Sequence, residues 1–167
     1  EAAFLEGKSV QSLGLFGAER RGAPVVAFAR VGDKPLMPRC QILQPDIVVV
    51  FDASLPLESI LLGLKKEGLL LVNCPANSTT CDRFSTLGHK VCFVDASAIA
   101  SHYGLGGVGI PIINTVMLGA MARLGLYSFS SLKSVLIEKL PRVFAKNLAA
   151  AQDGYDSVEE LGIYATA

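Results

Sequence analysis

Two adjacent guanidinium groups, Arg20 and Arg21, stand in the run Phe16-Gly17-Ala18-Glu19-Arg20-Arg21-Gly22-Ala23-Pro24, bracketed by Gly17 and Gly22. Side chains of this kind present planar forks that match carboxylate or phosphate oxygens. The alternative is a solvated charge run in which Glu19 neutralises one arginine. A second set of residues is defined by place. Asp52, Asn73 and Asp95 each follow a short apolar run, where the carboxyl ends of strands in an open α/β sheet form a ligand crevice. The two aspartates would serve equally well as caps, accepting hydrogen bonds from free backbone N–H groups of the next helix or turn.

Other residues carry weaker chemistry. Gly104-Leu105-Gly106-Gly107-Val108-Gly109 has the glycine density of a phosphate cradle. It follows a helical segment and runs into Ile110-Pro111, however, whereas the dinucleotide fingerprint follows a strand directly, so a contact-forming loop is the better reading. Ser78-Thr79-Thr80 reads as a polar turn able to meet a phosphate. His89 and His102 have no metal-site or triad neighbours readable from spacing. Cys40, Cys74, Cys81 and Cys92 match neither a CxxC pair nor a ferredoxin run and are expected as buried, reduced thiols. No catalytic residue and no metal ligand is assigned.

The elements that must position these residues alternate. Lys8 to Leu15 and Pro24 to Val31 are β-type runs on either side of the arginine loop. Ile47 to Phe51 is continuously apolar, as a strand buried on both faces must be, and Leu69 to Val72 and Val91 to Val94 repeat the pattern. Between them Leu57 to Lys66 reads as a helix with Ser54 as N-cap and Pro56 in its first turn, and Ala96 to Tyr103 as a shorter one. Asn114 to Leu124 is a buried helix whose Gly119, Ala120 and Ala122 permit close approach. Ser130 to Leu140 and Arg142 to Gln152 are helical on either side of Pro141. The tail from Tyr155 is expected as a short last helix or an arm laid on a neighbour, and Glu1 to Gly7 as the end of a helix. The expected fold is α/β: one three-layer α/β/α domain over residues 1–167, with a mostly parallel, possibly mixed, sheet and a helical C-terminal part.

Composition narrows the function classes. The chain of 167 residues is 51% hydrophobic and 18% charged, with zero formal net charge. That balance lacks the basic footprint nucleic acid requires. No apolar stretch has the roughly twenty uninterrupted residues needed to span a bilayer, and no secretory signal is visible, so a cytoplasmic protein is expected. The excess of apolar residues fits a covered sheet or surface reserved for partner subunits.

The run from Phe16 to Val25 resembles the FGPERRGAPV signature of gamma subunits, or the equivalent third domain, of pyruvate and related 2-oxoacid:ferredoxin oxidoreductases. Three further blocks agree: Gln41-Ile42 with Pro45-Asp46 and the strand to Asp52, then Pro111 to Ala120, then Lys146-Asn147-Leu148 through Gly154-Tyr155. Ala18 replaces the usual proline, and Leu15 stands where a small polar residue is common. The family's GxGGQG turn has no counterpart, so the N-terminal strand and glycine-rich turn are expected to be missing.

The resemblance implies a subunit without its own redox centre in a complex that oxidatively decarboxylates a 2-oxoacid with coenzyme A, giving acyl-CoA, carbon dioxide and reduced ferredoxin. It implies thiamine diphosphate with Mg between alpha and beta subunits, [4Fe-4S] clusters in a ferredoxin-like delta subunit, and ferredoxin as acceptor. The ERRGAP form is more similar to pyruvate or branched-chain members than to 2-oxoglutarate enzymes. Glu19, Arg20, Arg21, Gly22 and Asn114 become candidates for coenzyme or subunit contact. The alternative from another class is a free-standing nucleotide-binding or regulatory module using the crevice at Asp52, Asn73 and Asp95.

Overall fold

The computed structural model describes residues 1–15, 25–36, 40–75, 78–107 and 109–161. A short helix α1 (Ala2–Leu5) leads into β1 (Ser9–Leu15) and β2 (Val26–Gly32), which pair antiparallel from Ser9↔Gly32 to Leu15↔Val26. These two form a sheet of their own. The central sheet begins with β3 (Ile47–Val50), followed by α2 (Leu57–Ile60), β4 (Leu69–Asn73), α3 (Thr79–Ser85), β5 (Lys90–Val94) and α4 (Ala96–His102). A two-residue hairpin, β6 (Gly106–Gly107) with β7 (Ile110–Pro111), leads into α5 (Asn114–Arg123), α6 (Phe129–Lys139), α7 (Phe144–Asp156) and β8 (Glu159–Leu161).

The strand order of the central sheet is β3-β4-β5-β8, with the first three parallel and β8 antiparallel to β5. Side chains alternate across it with the period of two that a strand imposes. Val50, Leu70, Val72, Val91 and Phe93 enter one core with Ile60 of α2 and Phe84 of α3. Leu71, Cys92 and Val94 enter the other, against Ala96, Ala100, Val116, Met117 and Ala150 from α4, α5 and α7. Both faces are covered, which explains why β4 and β5 are apolar at successive positions. The expected three-layer α/β/α architecture is therefore present, as a mixed sheet.

Helices α5 and α7 touch backbone to backbone. A Cβ added at Gly119 would collide with the carbonyl of Ala151, and one at Gly154 with the carbonyl of Val116. The close approach expected of Gly119 is thus reciprocal. Thr115 Oγ1 donates to Asn147 Oδ1 at 2.8 Å inside the same contact, so both buried polar side chains are satisfied.

Five expectations need correction. The helix expected over Leu57 to Lys66 stops after Ile60, because Gly63 turns at φ 74° and Lys65 donates its N–H to the carbonyl of Pro45. Ser54 does not cap that helix; Pro56 occupies the position. Ser78-Thr79-Thr80 is not a turn but the start of α3, where the Ser78 hydroxyl accepts from Cys81 N. That helix carries Cys81 back to Cys74 at the end of β4, and the two form a disulfide with Cα atoms 6.3 Å apart, so only Cys40 and Cys92 are free thiols, and Cys40 is exposed. Finally, the described part of the tail ends α7 at Asp156 and then supplies β8 to the sheet edge rather than forming a separate helix, and residues 162–167 lie outside the described residues.

Candidate functional site

The carboxyl ends of β3 and β4 open into a crevice of about 650 Å³. Phe51, Asp52 and Ser54 line it from the turn after β3, Asn73 from the end of β4, Thr80 from α3 and Ser97 from α4. Ile110, Pro111 and Ile113 close it from the segment before α5. This is where an open α/β sheet places ligands, because loops diverge there while strands hold their ends fixed.

Asp52 folds back on its own turn. Its Oδ1 accepts from Ser54 N at 2.9 Å and from Ser54 Oγ at 2.7 Å. These two bonds, the hydroxyl first, hold the carboxyl below the usual carboxylate range. Asp52 is thus ionised at neutral pH, and among the described residues nothing donates to its Oδ2. The carboxylate keeps one oxygen for the crevice.

Asn73 does something different. Its Nδ2 donates to Phe51 O and Ser97 Oγ, each at 3.0 Å, and its Oδ1 accepts from Ser97 N at 3.2 Å. Asn73 ties the end of β3 to the start of α4 and holds the crevice floor. Asp95 lies outside the crevice lining and caps α4, accepting from Ala98 N at 2.9 Å. Asn114 opens α5 beside the crevice without lining it, and its Oδ1 meets Thr115 N at 3.0 Å. Glu19, Arg20, Arg21 and Gly22 lie outside the described residues. Of the crevice candidates, Asp52 and Asn73 are brought together and Asp95 is not.

Ser97, Ile110 and Pro111 are among the crevice residues not singled out from sequence. Ser97 sits three residues beyond the end of β5, a position whose spacing could have marked it. Ile110 and Pro111 arrive only because the glycine loop forms the β6–β7 hairpin, with Gly106 at φ 107° packed so tightly under Ile110 and Ile112 that a side chain there would meet backbone. His102 packs its ring edge on Tyr103 at 5.0 Å, and neither histidine lines the crevice. Among the described residues no three His, Cys, Asp or Glu side chains gather as metal ligands. The described cysteines do not form a cluster-ligand set, since one pair is disulfide-bonded and Cys40 and Cys92 stand apart as an exposed and a buried thiol.

The pyruvate ferredoxin/flavodoxin oxidoreductase family model matches residues 1–157. The chain belongs to this family. It is 42% identical over 162 residues to pyruvate synthase subunit PorC of Methanocaldococcus jannaschii, covering 95% of this chain and 85% of that one. It is 40% identical over 163 residues to the common gamma subunit of the pyruvate/ketoisovalerate oxidoreductases of Pyrococcus furiosus, covering 95% and 86%. The crystal structure of pyruvate oxidoreductase subunit PORC from Thermotoga maritima superposes with a TM-score of 0.81 at 33% identity, over 97% of this chain and 86% of that one. A keto/oxoacid ferredoxin oxidoreductase gamma subunit from Geobacter sulfurreducens, 21% identical with a TM-score of 0.69 over 94% and 85% of the two chains, shares the fold. No helix among the described residues is long and apolar enough to cross a membrane.

Proposed function

We propose that this chain is the gamma-type subunit of a complex that oxidises pyruvate or a related 2-oxoacid. The complex cleaves the bond between the carboxylate and carbonyl carbons, releases carbon dioxide, passes the acyl group to the sulfur of coenzyme A and sends the two freed electrons to ferredoxin. The observation that carries this reading is 40 to 42% identity along 95% of the chain to proteins named as such subunits. Thiamine diphosphate with Mg and the iron–sulfur clusters belong to the alpha, beta and delta subunits, and this chain contributes surface rather than a redox centre.

Its own surface supports an assembly role. The hairpin face bearing Val10, Ser12, Gly14, Ala27, Ala29 and Val31 has no charged side chain, and Phe4 beside it is 68% exposed. A two-stranded sheet is marginally stable alone in water, so a neighbour on that face would stabilise it. The loop between these strands holds Arg20 and Arg21, whose forks suit phosphate oxygens of coenzyme A or carboxylates of a partner. Co-expression with the other subunits and purification through a tag on this chain should yield a complex that reduces ferredoxin with pyruvate and coenzyme A. Arg20→Ala with Arg21→Ala should loosen that complex or raise its KM for coenzyme A; no change in either removes the role given to the loop.

A further inference from the structure

We infer that the crevice at the ends of β3 and β4 binds a ribonucleoside with an unmodified vicinal diol, with Asp52 accepting from the sugar hydroxyls. This is independent of the subunit reading and uses no residue of the arginine loop. Among the described residues that line the crevice, Asp52 is the only charged one. A lone carboxylate repels phosphate and welcomes hydroxyl donors, with which it makes short, charge-assisted bonds. Its Oδ1 is held by Ser54, which fixes the direction of Oδ2. Thr80 lines the same space with a hydroxyl that has no partner among the described residues, and the Ser54 hydroxyl can still accept. Together they offer the alternating acceptors and donors that two neighbouring hydroxyls need.

The remaining wall is apolar. Phe51 and Ile110 line the crevice from separate elements and leave 48% and 63% of their surface uncovered. A planar base laid against them and Pro111 would remove that surface from water. The volume of about 650 Å³ is within the range of small-molecule sites. Asn73 takes no part in recognition, since its amide is occupied with Phe51 and Ser97 and shapes the floor.

The same chemistry separates two sources of the nucleoside. A free adenine nucleotide and dephospho-coenzyme A carry the intact diol, whereas coenzyme A carries a phosphate on the 3′ oxygen. That dianion would lie beside the Asp52 carboxylate. The crevice should therefore prefer dephospho-coenzyme A to coenzyme A.

Calorimetry of the full chain with adenosine, 2′,3′-dideoxyadenosine, dephospho-coenzyme A and coenzyme A tests this. Adenosine and dephospho-coenzyme A should bind one per chain, and dideoxyadenosine and coenzyme A should bind about tenfold more weakly or not at all, the loss expected for a hydrogen bond to a charged group. Asp52→Asn should weaken adenosine by a similar factor and erase the preference for dephospho-coenzyme A. Silence with adenosine, equal binding of dideoxyadenosine, or coenzyme A binding to the Arg20→Ala, Arg21→Ala chain as tightly as its dephospho form would each overturn the inference. The comparisons of ligands on the unaltered chain stand even where the variant does not fold. Adenosine binding that survives the Arg20→Ala, Arg21→Ala change separates this site from the loop.

Discussion

Asn73 uses both ends of its side-chain amide to join three segments, and Asp52 uses one oxygen to close its own turn and leaves the other to the crevice. The consequences of losing them differ. Asn73→Ala strands the Phe51 carbonyl and the Ser97 hydroxyl and N–H, and should lower stability by about 1–3 kcal/mol, read as a shift in the denaturant midpoint without a change in slope. A buried thiol and a half-buried phenol set an alkaline limit. Burial, with the nearby Glu160 charge adding to it, pushes the Cys92 thiol up from its ordinary 9.0 to about 11. Burial alone raises Tyr127, whose hydroxyl donates to Leu118 O at 2.9 Å. Both are neutral in the folded chain and ionise more readily once unfolded. Their contribution is whole below about pH 9 and is lost as pH rises through the folded values, Cys92 going first, toward about pH 11. Unfolding midpoints measured from pH 7 upward should stay level and then fall above about pH 9, and Cys92→Ala should flatten the first part of that fall.

At the scale of elements, the contact of α5 with α7 is the least forgiving. Gly119→Ala places a methyl against the Ala151 carbonyl, backbone that cannot rotate away, and should cost about 1–3 kcal/mol, visible as a lowered melting temperature, while Ala→Gly at exposed helix positions should cost less. Its backbone fit was legible beforehand, because glycine and alanine in a buried helix have few other uses. The strands β3, β4 and β5 were legible for a similar reason: burial on both faces leaves no polar position to confuse the period. Elements decided by long-range contact were not. Leu57 to Lys66 has helical spacing, yet the pairing of Lys65 N with Pro45 O and the turn at Gly63 override it. The start of α3 was hidden because Thr79 and Thr80 are poor helix formers, although Ser78 was a ready cap. Strand β8 is three residues with two glutamates, and only its place beside β5 makes it a strand.

At the scale of the whole molecule, the chain combines a stable α/β/α body with a hairpin that has little core of its own. The body carries the crevice; the hairpin offers uncharged surface and leads into the arginine loop. Composition anticipated surplus apolar surface but could not say where it lies. The most direct measurement titrates this chain into the alpha, beta and delta subunits proposed as its partners and follows coenzyme A-dependent ferredoxin reduction by pyruvate. The rate should rise with added chain and level off at equal stoichiometry, while the chain alone reduces nothing. A rate indifferent to the chain, or turnover by the chain without its partners, would contradict the assignment.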